Sequence, residues 1–460
     1  MRFLVSLIFG VLTSPAAQAA EHATAVPGLA WGAPFAFLLL SIAVLPLIAP
    51  RFWHHRMGLV ALGWTLALVG PLAMAHGMPS AAAEVWHAML TEYLPFVVLL
   101  VALFTVGGGI LLEGGPWGTP WGNAALLAIG TALAGVMGTT GVSMVLIHPL
   151  LRANAHRRQK VHLVVFFILL CANAGGATSP LGDPPLYLGF LRGVPFDWPL
   201  RALAAPMLVL SALLLATFLV IDRHLARKDG PPPARGRLRL RGWANVALLG
   251  VVVVSVLMQG LVHPGHVAIL GQDIEIERGL GMLVLAVVTL VSLRVTPRAI
   301  REGNLFSWAP MAEVAKLFAA IFVTIAPVME MLAAGQNGPL AGLVALTEQN
   351  GAPSPVAYFW VAGLLSAFLD NAPTYLVFFQ MAGDDAGRLT SDLAPVLRAL
   401  SSGAVFFGAL TYIGNAPNMM LRSIAAHRGI RMPGFFGYML WSGALLFPAF
   451  LVLSLLFFTR

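Results

Sequence analysis

Asn173-Ala174-Gly175-Gly176-Ala177-Thr178-Ser179-Pro180-Leu181-Gly182-Asp183-Pro184-Pro185 interrupts an apolar stretch that runs from 161 to 190. A helix needs about 20 apolar residues to cross a bilayer, so the stretch is long enough. Its centre, however, holds three glycines and three prolines. Glycine admits φ > 0 and proline removes a hydrogen-bond donor, so a helix must unwind there. Unwound backbone survives at membrane depth only where it is buried in protein or lines a cavity. The stretch therefore predicts a discontinuous transmembrane helix with a ligand site at its break.

A second break, Thr411-Tyr412-Ile413-Gly414-Asn415-Ala416-Pro417-Asn418, lies inside 398–425. Each break follows another by 44 residues: Gly138-Thr139-Thr140-Gly141 precedes Gly182-Asp183, and Asp370-Asn371-Ala372-Pro373 precedes Gly414-Asn415. The halves are thus offset by 232 at both positions. Residues 123–151 surround the first of these earlier breaks, and Arg152, Arg157, Arg158 and Lys160 follow them. A single crossing would leave four positive charges outside, against the tendency of Lys and Arg to stay cytoplasmic. A re-entrant hairpin over 123–151 keeps them inside, with arms 123–138 and 141–151. A second hairpin over 354–381, flanked by few Lys or Arg, enters from the opposite side. The expected fold is an all-α polytopic membrane protein with inverted-topology repeats, each holding a re-entrant hairpin and a discontinuous helix.

The remaining charges agree. Residues 222–242 carry seven Lys or Arg around Pro231-Pro232-Pro233 and read as a basic cytoplasmic linker between halves 31–221 and 243–460. Arg51 and Arg56 mark the inside after a first span, 31–48; a second span, 57–75, leads to an outside connector that ends near Glu92. Asp273, Glu275 and Glu277 fall outside, and the chain ends outside after 434–458. Residues 1–19, with Arg2, an apolar core and Ala17-Gln18-Ala19, read as a cleaved signal peptide. The expected location is the inner membrane of a Gram-negative cell, with both mature termini periplasmic.

Composition excludes other classes. Of 460 residues 58% are hydrophobic and 10% charged, far below the roughly 25% charged of a soluble domain. The net charge of +8 then reports membrane orientation, not nucleic acid. A single cysteine, Cys171, rules out an intrachain disulfide. No dinucleotide fingerprint, metal-spaced histidines or nucleophile pair points to an enzyme, and no cofactor is expected.

Asp183 and Asp370 are the sharpest candidates, because a carboxylate at membrane depth needs a proton, a partner or a cation. Asn173, Asn371, Asn415 and Asn418 offer carbonyl oxygens, and Thr139, Thr140, Thr178, Ser179 and Thr374 offer hydroxyls. Such oxygens suit Na⁺, Li⁺ and H⁺. Glu330, Glu113 and His148 are weaker candidates, each with an ordinary surface or interface role available.

The stretch 173–183, with Asp370-Asn371-Ala372-Pro373-Thr374 and Gly414-Asn415-Ala416-Pro417-Asn418, resembles the D-type sodium/proton antiporters of the ion transporter superfamily. That superfamily also holds citrate, dicarboxylate and arsenite transporters. The resemblance covers most of the mature chain and implies inverted repeats, a homodimer with scaffold and transport regions, and ion binding at Asn173, Asp183, Asp370, Asn371, Asn415 and Asn418. The first hairpin tip, Gly138-Thr139-Thr140-Gly141, departs from the Ser-Asn-Thr signature of the carboxylate transporters. The function expected is secondary exchange of Na⁺ or Li⁺ for H⁺; the alternative is proton- or sodium-coupled citrate or dicarboxylate transport.

Overall fold

The computed structural model describes residues 27–459, apart from 116–117, 230–235, 263, 270–271 and 350. The expected signal peptide, 1–19, and part of the basic linker lie outside the described residues. The first half contains α1 (Ala33–Ile48), α2 (Pro50–His76), α3 (Met78–His87), α4 (Leu94–Gly107), α5 (Pro120–Met137), α6 (Thr139–Ala153), α7 (Val161–Leu170), α8 (Pro184–Leu191) and α9 (Trp198–Ala226). The second contains α10 (Trp243–Leu261), α11 (Ile276–Val295), α12 (Ala309–Thr324), α13 (Ala326–Ala333), α14 (Gly363–Leu369), α15 (Asn371–Met381), α16 (Ala394–Phe407), α17 (Ala416–His427) and α18 (Phe435–Phe457).

Among the described residues, nine helices are long and apolar enough to cross a membrane. There are ten if α12 and α13, bent by 42° where they meet, form one span. The protein is an all-α polytopic membrane protein. Its layers differ sharply in burial. The window 161–178 is 89% buried, whereas those of α2 and α10 are only 22% buried. A helix hydrophobic all round belongs in the centre, and every residue of α7 from His162 to Leu170 is buried. Leu62, Val220, Val254, Leu290 and Leu455 instead point outward from the surrounding helices, a surface suited to lipid.

Both expected hairpins fold back on themselves. In the first, Asn123 at the start of α5 and Asn154 after α6 exchange side-chain hydrogen bonds of 3.0 and 2.8 Å. In the second, the Tyr358 and Phe378 rings meet at 6.0 Å across the two arms. Each corner is a single residue, shorter than the four-residue breaks read from the sequence. Gly138 turns the first with φ 76° and ψ 151°, and Asp370 turns the second with φ 75° and ψ 145°. Thr139-Thr140-Gly141 and Asn371-Ala372-Pro373 already form the first turns of α6 and α15.

The broken spans repeat each other's contacts at the 232-residue offset. Ser179 Oγ donates to the Gly135 carbonyl and Thr411 Oγ1 to the Ala367 carbonyl, each across 44 residues. The same hydroxyls accept from the amides of Leu181 (3.1 Å) and Ile413 (3.2 Å). Gly182 lies so close to Gly176, and Gly414 to Gly408, that a Cβ would stand 2.1 Å and 2.7 Å from the facing carbonyl oxygen.

Three boundaries differ from the sequence expectation. The supposed outside connector before Glu92 is helical: α3 runs through a π turn, Ala88–Tyr93, directly into α4. Pro95 cannot donate and its ring crowds the preceding turn, so the helix widens instead of stopping. The second span begins at Pro50, which places Arg51 and Arg56 inside the helix and not before it. Asp222, assigned to the linker, sits fully buried in the last turns of α9. Short ribbons also occur in connectors, and one pairs Leu111–Glu113 with Arg239–Arg241, tying the linker to the end of α4.

Gly182→Ala should cost about 1–3 kcal/mol by forced overpacking, with Gly414→Ala milder because its neighbour is farther away. Thermal midpoints of the detergent-purified protein should fall in that order. Wild-type melting of Gly182→Ala would contradict the close approach.

Candidate functional site

Four helix starts converge on one central cavity: α6 at Thr139, α8 at Pro184, α15 at Asn371 and α17 at Ala416. Each follows one of the four breaks. The opposite wall comes from α4 and α12, through Leu99, Leu103, Phe104, Met311, Val314 and Phe318.

Asp183 occupies the junction and is 2% exposed. Its Oδ2 accepts from Asn371 Nδ2 at 2.6 Å, and its Oδ1 accepts from Asn415 Nδ2 at 3.0 Å and Thr139 Oγ1 at 3.3 Å. These donors come one each from the other three breaks. Although Asp183 precedes α8, its side chain does not cap that helix. Asp370 does cap its helix, accepting from the Ala372 amide at 3.3 Å, and it also lines the cavity. The Asn371 Oδ1 atom is buried without a hydrogen-bond partner. A buried acceptor of this kind calls for a water or a cation. Among the described residues, no Lys, Arg or His lines the cavity.

Asn173 and Asn418 stand one layer behind the cavity wall. Asn173 Nδ2 donates to the Ile168 carbonyl (2.8 Å) and to Asn418 Oδ1 (2.9 Å), while its own Oδ1 accepts from Asn415 (3.2 Å). Asn418 Nδ2 donates to the carbonyls of Gly408 (2.8 Å) and Thr411 (2.9 Å). Together they orient the Asn415 amide and satisfy the second break. Thr140 lines the cavity. Ser179 and Thr374 spend their hydroxyls on backbone carbonyls, Thr374 on that of Asp370 at 2.8 Å, and Thr178 packs against Gly135.

The weaker candidates lie elsewhere. Glu330 is exposed, Glu113 pairs with Arg241 at 3.8 Å, and His148 bonds the Asn304 carbonyl at 3.0 Å. Among the described residues, no three His, Cys, Asp or Glu side chains gather as a metal centre.

Sequence reasoning missed the apolar wall, since Met311, Val314 and Phe318 look like any other residues of a membrane helix. It also missed a buried cluster at the base of the first hairpin. There Asp222 pairs with Arg157 and accepts from His162 Nε2 (2.8 Å) and Asn123 Nδ2 (3.1 Å). The signal was available: Asp222 follows Ile221 without a break in the apolar run.

A family described as putative citrate transport matches residues 23–458. The chain is also similar to an uncharacterized transporter of Synechocystis sp., with 23% identity over 389 residues, which cover 78% of this chain and 79% of that protein.

Asp370 holds a backbone conformation that Gly138 adopts in the other hairpin. For a residue with a Cβ this costs about 1–3 kcal/mol. Replacing a capping Asp by Gly loses only a few tenths of a kcal/mol. Asp370→Gly should therefore melt above the wild type and well above Asp370→Ala. Equal midpoints for the two variants would remove the strain argument.

Proposed function

The chain belongs to the putative citrate transport family, and from that premise we propose a secondary active transporter whose cation site is built on Asp183 and Asp370. Membership in a transporter family makes its activity transport and not catalysis. One observation carries the cation site: a buried carboxylate, Asp183, receives a neutral donor from each of the other three breaks and, among the described residues, faces no cationic side chain. Burying such a charge is costly unless it is protonated or meets a cation. The four helix N-termini reduce that cost while the site waits for its ion.

The ligands in this reading are Asp183 and Asp370, with oxygens of Asn371, Asn415 and Thr139 nearby. Asn173 and Asn418 hold Asn415 in place. The cargo best suited to this geometry is Na⁺ or Li⁺, exchanged for H⁺. The ion binds the carboxylates from the cytoplasm, a rearrangement exposes the site on the other face, and protons displace the ion and return with the carrier. We place the protein in the inner membrane, with periplasmic termini and a homodimeric assembly.

A second reading is cation-coupled transport of citrate or a dicarboxylate, and the family description favours it over exchange. The convergent helix starts favour it too, because backbone amides at helix N-termini bind carboxylates. Under that reading Asp183 and Asp370 hold the coupling ion, and the substrate carboxylates lie against the amides of α6 and α15.

Everted vesicles from a host without its own antiporters should lose their pH gradient when Na⁺ or Li⁺ is added. Citrate uptake in proteoliposomes without that collapse would select the second reading. Asp183→Asn and Asp370→Asn should reduce either activity to background while leaving membrane insertion intact. Full activity in both variants would remove the cation site.

A further inference from the structure

The cavity wall continues into a layered closure at the end of the protein opposite the basic linker. Tyr187 of α8 and Phe318 of α12 line the cavity. Behind them Phe96 of α4 stacks on Phe318 at 4.6 Å and contacts Phe322 at 5.6 Å and Tyr187 at 6.5 Å. Beyond these rings, Arg192 after α8 reaches Glu92 at 3.2 Å and Asp384 at 2.8 Å. Arg278 of α11 donates to the Leu191 carbonyl at 2.6 Å.

These polar contacts join two sets of packed helices. The end of α8 packs with α15 and α16 beside the broken spans, whereas α4 packs with α10 and α11 as well as with α6 of the first hairpin. Arg192–Glu92 and Arg278–Leu191 both cross from one set to the other. We propose that they form a latch that closes the cavity at this end, and that opening to this side breaks it.

The contrast with the Asp222 cluster shows why this place suits a moving contact. Arg157 and Asp222 are 1% and 0% exposed, and their partners all lie at the base of the first hairpin or on α7 and α9. Separating a buried pair strands an uncompensated charge, so those elements travel together. Arg192, Glu92 and Asp384 are 19%, 32% and 35% exposed at their side chains. Water reaches each group as the pair parts, so this half-buried ion pair separates at less cost than the fully buried one. Arg192 also keeps Asp384, on its own side, when it releases Glu92.

The test rests on alternating access but not on the identity of the cargo, so its failure is distinct from failure of either transport reading. A reporter Leu99→Cys is placed in the cavity wall, where Leu99 is 1% exposed. The single native cysteine, Cys171, is fully buried. A membrane-impermeant maleimide is applied to vesicles of both orientations, and an exposed Ser391→Cys marks the latch side. Arg192→Gln should raise reporter labelling about two- to fivefold from that side alone, the range set by a solvent-accessible ion pair. Glu92→Gln should do the same, and the double variant should exceed neither single variant, because each removes the same bond between the two sets, Arg192–Glu92. Unchanged labelling, additive increases, or an equal rise from both sides through general loosening would overturn the latch.

Discussion

Every interrupted helix strands backbone amides and carbonyls, and hydrocarbon offers them no partners. The centre of this protein is organised around that constraint. Ser179 and Thr411 each bridge a broken span to the neighbouring hairpin through one carbonyl and one amide. Asn418 answers two more carbonyls, and Asn173 and Asn415 answer those of Ile168 and Ala172. Asn173 and Asn418, which fold the breaks, are thus linked to Asn415, one of the two asparagines that touch Asp183. Structure and site cannot be separated here, since loosening the break would misdirect the Asn415 amide that meets Asp183.

The two halves share this scaffolding but not its chemistry. The position of Asp183 is held by Asn415 in the second half, and that of Thr139 by Asn371. An acidic acceptor in one copy therefore faces neutral amide donors in the other. Two acids at equivalent positions would repel across a dry junction, whereas this division lets one carboxylate collect three hydrogen bonds. The second carboxylate, Asp370, enters from a corner where its counterpart has no side chain at all. The site is asymmetric even though the backbone around it repeats.

Much of this was legible in the sequence because glycine and proline at membrane depth are informative. The four breaks, their common spacing and the two carboxylates all followed from that rule. Corner length was not legible, because Thr139 to Gly141 and Asn371 to Pro373 are as compatible with a first helical turn as with a loop. The connector before Glu92 misled for the opposite reason: a polar, acid-bearing segment near the surface continued as helix through a π turn. Asp222 shows the limit of counting charge by loop, since an acid directly before Arg223 lay inside the bundle and not in the linker. Ranking among the asparagines was beyond reach as well. Only the fold shows that Asn371 and Asn415 touch the carboxylate while Asn173 and Asn418 stand behind it.

The matched corners at Gly138 and Asp370 also bear on how such a site can arise. Two of the four glycine codons differ from an aspartate codon at the second base alone, and each asparagine codon differs from an aspartate codon at the first. In a duplicated chain whose hairpins already turn on a left-handed corner, one base change places a carboxylate at the tip without rebuilding the backbone. One further change exchanges Asn for Asp at the broken span. The distance from a neutral repeat to a cavity lined by two acids can therefore be as short as two point mutations, and the conformation each needs is already in place.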